Sequence, residues 1–135
     1  MQKIVVRTAS ERFYNITDQV RTALAELKPK EGVLTLFCLH TSCALAINEA
    51  HEDSARVDME SFLRHLAPRT LPFITHVSEG ADDSPSHMKA VLLQPSLQLI
   101  VAGGEMLLGR WQGIFLAEFR ASARERTILV KFQPD

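Results

Sequence analysis

The 135-residue sequence is 46% hydrophobic and 23% charged, a balance that suits one compact globular domain over residues 1–135. A formal net charge of −1 gives no electrostatic case for nucleic acid or an anionic membrane as partner. No apolar run reaches the ~18 residues of a membrane helix or forms a signal-peptide h-region, so a cytoplasmic protein is expected.

The chain opens with "KIVVRTAS", a strand by its β-branched Val5 and Val6. "NITDQVRTALAEL" then predicts a helix, with Thr17 as N-cap, Asp18 in the first turn, and Val20, Leu24 and Leu27 at helical spacing. "KPKEG" ends it, through Pro29 and Gly32. "VLTLFCLH" is an almost unbroken apolar run and predicts a central strand covered on both faces. Cys38 and Cys43 flank its end; two cysteines are too few for a disulfide scaffold and are read as reduced thiols.

"ALAINEA" predicts a second strand or a continuation of the first. "DSARVDMESFLRHL" predicts an amphipathic helix with Val57, Phe62, Leu63 and Leu66 on or near one face. "EGADD" is loop composition; Ser84 then reads as an N-cap and Pro85 as the first residue of a helix running to about Leu93. "LQLIVAG", "GIFLAEF" and "TILVKF" predict three more strands, with "AGGE" and "ASARE" as hairpin-like connections. Strands come in runs, so the order favours an α+β fold, a sandwich-like sheet with a few helices.

Five histidines are present. His51 and His65 sit among polar neighbours and read as surface residues. His40 ends the most apolar strand, His76 closes "FITH", and His87 lies in the first turn of the Pro-started helix. Three imidazoles from separate elements could hold a divalent metal with an open position, although no tight ligand spacing demands it. Ordinary hydrogen-bonded histidines are the competing reading.

The acids of "INEAHED" and "EGADD", Asp82 and Asp83 among them, read as solvated charges near helix starts. Glu49 is the exception, because with Asn48 it follows an apolar strand and could serve as a general base or orient an imidazole. Thr41 and Ser42 are candidates for phosphate contacts, and Cys43 reads as a small buried hydrophobe. In "GRWQG", Gly109 and Gly113 bracket Arg110, Trp111 and Gln112. The stretch reads either as a turn with Trp111 packed on the core, or as a pocket wall with Gln112 facing a ligand.

Three stretches together resemble one family. "HTSCALAINEA" resembles its motif of His-Thr-Ser/Thr, small and apolar residues, then Asn-Glu. "DDSPSHMKAVLLQPSLQLIV" is similar to its Pro/Asp-Ala-His-hydrophobic-Lys-Ala helix start, and "LLGRWQGIFLAEF" to its Gly-Thr-Trp-Gln-Gly/Arg-Ile signature. This is the YjbQ-like family, often labelled secondary thiamine-phosphate synthase, and the resemblance runs from about residue 3 to 133. It implies a homotrimer with a pocket at the subunit boundary. By position, His40, His76 and His87 match the family's three histidines, the expected ligands of a divalent ion such as zinc or magnesium. Asn48 and Glu49 match its Asn-Glu pair, and Trp111 and Gln112 its Trp-Gln pair. The resemblance thus implies Glu49, Asn48 and Gln112 as catalytic, and Thr41, Ser42, Arg110 and Trp111 as ligand-binding.

Two departures stand out. Arg110 replaces the usual Thr, and Asp83-Ser84 precedes Pro85 where the family has a Gly/Asp-Asn-Ala loop. Arg110 suits phosphate or an intersubunit carboxylate. The implied activity joins a hydroxymethylpyrimidine diphosphate to a thiazole phosphate, releasing pyrophosphate. A metal-dependent hydrolase or transferase for another phosphorylated small molecule would use the same residues. A non-enzymatic trimer that binds a metal or metabolite is the third possibility.

Overall fold

A computed structural model describes residues 1–135. The five-stranded sheet has the order β1-β8-β3-β5-β6, from strands β1 (Gln2–Thr8), β3 (Gly32–Cys38), β5 (Ser96–Ala102), β6 (Glu105–Met106) and β8 (Arg124–Pro134). The three-stranded sheet has the order β2-β7-β4, from β2 (Arg12–Asn15), β4 (Cys43–Glu49) and β7 (Gln112–Glu118). Every strand pair is antiparallel. Helices α1 (Thr17–Glu26), α2 (Asp53–Leu66) and α3 (Asp83–Leu92) complete an α+β fold.

Alternation places the main core between the sheets. Leu34 and Leu36 of β3, Leu97 and Leu99 of β5, and Ile128 and Val130 of β8 face Leu45 of β4 and Ile114 and Leu116 of β7. Helix α1 adds Val20, Ala23 and Leu24 to this layer. The other face of β7 packs Phe115 and Ala117 beneath Leu63 of α2, with Ala90 of α3 alongside. The three-stranded sheet is therefore the middle layer, and β7 is buried on both faces along almost its whole length.

Several expectations change. The "VLTLFC" run is covered on one face only, because nothing packs outside the five-stranded sheet, and Phe37 is exposed. "GIFLAEF" is the strand covered on both faces. Thr17 does not cap α1; Ile16 holds that position, and the Thr17 hydroxyl donates to Asn15 Oδ1 and accepts from the Ile114 N–H. Ser84 does not cap α3, which begins at Asp83, two residues before the expected Pro85, with Asp82 at the cap position. Of the four apolar residues expected on one buried face of α2, only Leu63 is buried; Val57, Phe62 and Leu66 face outward. "AGGE" is a hairpin turn whose Gly103 and Gly104 both adopt positive φ, as a two-residue turn requires. "ASARE" is not a hairpin, since β7 and β8 belong to different sheets and the segment crosses between them.

Candidate functional site

Asp83 and His87 lie one turn apart at the start of α3, so both project from the same face. His76 reaches the same point from the preceding irregular segment. One carboxylate oxygen, Asp83 Oδ2, lies 2.7 Å from His76 Nε2 and 3.2 Å from His87 Nε2. The three candidate ligand atoms lie within 4.8 Å of one another. Asp83 is only 2% exposed, whereas both imidazoles are partly open to solvent.

The second Asp83 oxygen is taken by Arg120, whose Nη1 donates to Oδ1 at 2.8 Å. The same guanidinium donates through Nε to Asp82 Oδ2 at 3.0 Å and through Nη2 to the Glu79 carbonyl at 3.0 Å. Burial opposes ionisation of Asp83, but the hydrogen bond from His76 and the Arg120 guanidinium, with the His87 ring alongside, outweigh it and hold the carboxyl below its usual value. The reading of Asp83 as a solvated loop charge is thus corrected. It is a buried anion with three basic partners.

His87 Nδ1 lies 2.9 Å from the Thr41 carbonyl. His40 stands apart from this cluster. Its Nε2 accepts the Thr127 backbone N–H at 2.8 Å, which commits that nitrogen. Burial, with the nearby Arg126 charge, lowers the His40 pKa below its usual value. Ser42 Oγ accepts from Arg126 Nη2 at 2.8 Å, within a buried pair in which Arg126 also grips Glu118 at 2.6 and 2.7 Å.

The remaining expected residues gather elsewhere. Asn48 and Glu49 end β4, where Glu49 pairs across the strands with Gln112 of β7. Residues 43 and 49 are six strand steps apart, or ~20 Å. Glu49 Oε2 accepts the N–H groups of His51 and Glu52 at 2.5 and 3.0 Å, and Asn48 Oδ1 accepts the N–H of Glu49. Gln112 Oε1 accepts the Gly109 N–H at 2.7 Å, closing the turn on itself. Trp111 is not core packing. It is 47% exposed, edge-on to His51 at 4.6 Å and covered by the Arg110 guanidinium at 4.7 Å. A cleft of about 460 Å³ opens here, lined by Asn15, Arg21, His51, Arg110, Trp111 and Gln112. A larger cleft of about 890 Å³ is lined by Glu49, Arg12 and Arg56 and shares Asn15 and Ala50 with the first. Neither cleft includes the histidine cluster.

The family model described as UPF0047 protein YjbQ-like matches residues 2–135. The chain belongs to this family. The UPF0047 protein YjbQ of Salmonella typhimurium is 42% identical, over 93% of this chain and 94% of the relative. A UPF0047 protein of Methanocaldococcus jannaschii is 37% identical, over 93% and 87%. Among solved structures, a conserved hypothetical protein from Thermus thermophilus aligns with a TM-score of 0.88 at 36% identity, covering 98% of this chain and all of that one. A YjbQ/UPF0047 protein from Clostridium acetobutylicum aligns at 0.89 and 30% identity, with the same coverage.

The resemblance points by position to His40, His76 and His87; the structure gathers His76 and His87 around Asp83, to which the resemblance gives no role, and leaves His40 outside. Asp83 carries a signal in the sequence, because Asp-x-x-x-His at a helix start puts carboxylate and imidazole on one face. Arg120 carries none, since its partners lie 37 and 38 residues away. No helix of this YjbQ-like chain is long and apolar enough to cross a membrane.

Proposed function

We propose that the protein is a metal-dependent transferase acting on phosphorylated small molecules, with a divalent ion held by His76, Asp83 and His87. The observation that carries this reading is a conflict at His87. The Thr41 carbonyl can only accept, so Nδ1 carries a hydrogen. A neutral ring then turns the Nε2 lone pair toward the Asp83 carboxylate at 3.2 Å. A cation between them removes the repulsion; a second proton on the ring is the rival solution.

The donor set fits a metal. Two imidazoles and a carboxylate are the protein ligands of several zinc enzymes that keep a position open for substrate. Magnesium, which favours oxygen donors, suits the set less well. A bound divalent ion would neutralise charge on a departing pyrophosphate. Arg120 fixes Asp83, and Thr41 fixes the His87 ring. Arg110, spread over Trp111, offers a fork of donors to a phosphate. The joining of a hydroxymethylpyrimidine diphosphate to a thiazole phosphate is the reaction we assign first.

The reading also includes a homotrimer. The histidine half and the Glu49–Gln112 half occupy opposite ends of one strand, too far apart to meet on one substrate within a protomer. Assembly brings the histidine end of one protomer to the Gln112 end of its neighbour. A cytoplasmic location accords with the two free thiols.

The test is elemental analysis of untagged protein beside a His76→Gln/His87→Gln variant. Near-stoichiometric zinc, lost in the variant, supports the reading and selects phosphorylated substrates for assay. No uptake after incubation with zinc leaves a protonated His87–Asp83 ion pair and ends metal chemistry at this cluster.

A further inference from the structure

Cys38 is the last residue of β3 and Cys43 the first of β4, so the two belong to different sheets. Both side chains enter the inter-sheet core, each 2% exposed. Their sulfurs lie 3.4 Å apart, and both are free thiols. A disulfide needs ~2.05 Å, so an approach of roughly 1.4 Å joins them. The intervening loop is short and carries two tethers already described. His40 accepts from Thr127, and the Thr41 carbonyl faces His87.

We propose that Cys38 and Cys43 form a dithiol that hydroperoxides oxidise to an intrachain disulfide, stapling one sheet to the other and fixing the loop that positions His87. One sulfur attacks a peroxide oxygen; the O–O bond breaks, and the departing oxygen leaves as water with the thiol proton. The attacking sulfur is then a sulfenic acid. The second sulfur attacks it, the S–O bond breaks, and a second water leaves. Two thiols lose two electrons and two protons, and one hydrogen peroxide becomes two waters. Hydrogen peroxide is little larger than water, and a local opening of the 39–42 loop is all that its entry requires. A paired, regulatory thiol of this kind is compatible with a reducing compartment. The bond itself is independent of any metal at the histidine cluster.

The experiment treats reduced, untagged full-length protein with a small excess of hydrogen peroxide, then denatures and alkylates it. The expected product is a monomer that takes up no alkyl group, and two after dithiothreitol. The peptide spanning residues 31–56 should be two hydrogens lighter before reduction. Two alkyl groups after peroxide, a sulfinic or sulfonic acid, or an interchain dimer would overturn the proposal. In Cys43→Ala, dimedone should trap a sulfenic acid at Cys38; if this variant does not fold, the wild-type products decide alone. The His87 imidazole resonances should shift on oxidation and return on reduction. Unchanged resonances in a protein that does form the disulfide would overturn the link to the loop.

Discussion

Arg120 Nη1 stands 2.8 Å from Asp83 Oδ1 while the other oxygen of that carboxylate faces two imidazoles. One guanidinium therefore sets the orientation of the acid on which both histidines converge. Arg120→Leu leaves Asp83 buried without its permanent counter-charge and should cost about 3–5 kcal/mol in urea unfolding. Arg120→Lys keeps the charge, loses the fork and should cost less. If the cluster binds zinc, Arg120→Lys should weaken it by roughly 10–100-fold, read by competition with a zinc chelator dye. Unchanged zinc affinity would show that Arg120 serves the loop alone.

Glu118 is fully buried, and Arg126 and Thr8 both donate to it. Burial disfavours its charge, but the Arg126 and Thr8 hydrogen bonds prevail and hold its pKa below the usual value. The stabilisation is complete above the unfolded value of about 4.3 and is lost as pH falls through the lower folded value. Wild-type stability should therefore decline below about pH 4, and Glu118→Gln should flatten that decline. Urea midpoints measured across this range decide it, and parallel slopes in the two proteins would refute the assignment.

Breaking the same pair from its other side should be more costly than removing it. Arg126→Met strands a buried carboxylate, and a loss of about 3–5 kcal/mol is expected. Adding Glu118→Gln should return part of that loss, as a coupling term in a double-mutant cycle. Simple additivity of the two changes would mean that they act separately.

Gly113 follows Gln112 in β7 without unusual backbone geometry, and its requirement is space. An added Cβ would meet the Ala50 Cβ at 2.5 Å and Thr17 Oγ1 at 3.2 Å. Gly113→Ala should lower stability by about 1–3 kcal/mol through overpacking, seen as a lower melting temperature. Adding Ala50→Gly should relieve most of this, and failure to do so would place the strain elsewhere.

A subunit-shared site has its own signature. Under the proposed trimeric reading, His87→Gln and Gln112→Ala should each turn over poorly. Mixed, unfolded and refolded together, they should regain activity, because some boundaries pair an intact histidine half with an intact Gln112 half. Mixtures no better than the average of their parents would confine the site to one protomer.

Local pattern was enough to reveal much of this molecule. The α2 bounds and the Gly103–Gly104 turn were readable, because each is decided by residues a few positions apart, whereas local pattern left the "GRWQG" stretch open between a turn and a pocket wall. What escaped depends on distant partners. Strand β2 is four residues long and has no marked β-pattern; its pairing with Phe115 and Leu116 of β7 makes it a strand. Asp83 looks solvated until Arg120 is placed beside it. Val57, Phe62 and Leu66 read as core because an apolar face usually is, but only Leu63 finds the middle sheet beneath it.

The position of β8 bears on how the chain is made. It lies between β1 and β3, so two of the earliest strands have no common neighbour until residues 124–134 arrive. At ~5–20 residues per second, β1 waits on the order of ten seconds during translation with its pairing edge unmatched. Such long-range closure slows folding and exposes apolar strands to other nascent chains. Ribosome-bound chains ending before residue 124 should therefore be protease-sensitive and chaperone-dependent, and resistance should appear in one step once β8 clears the exit tunnel.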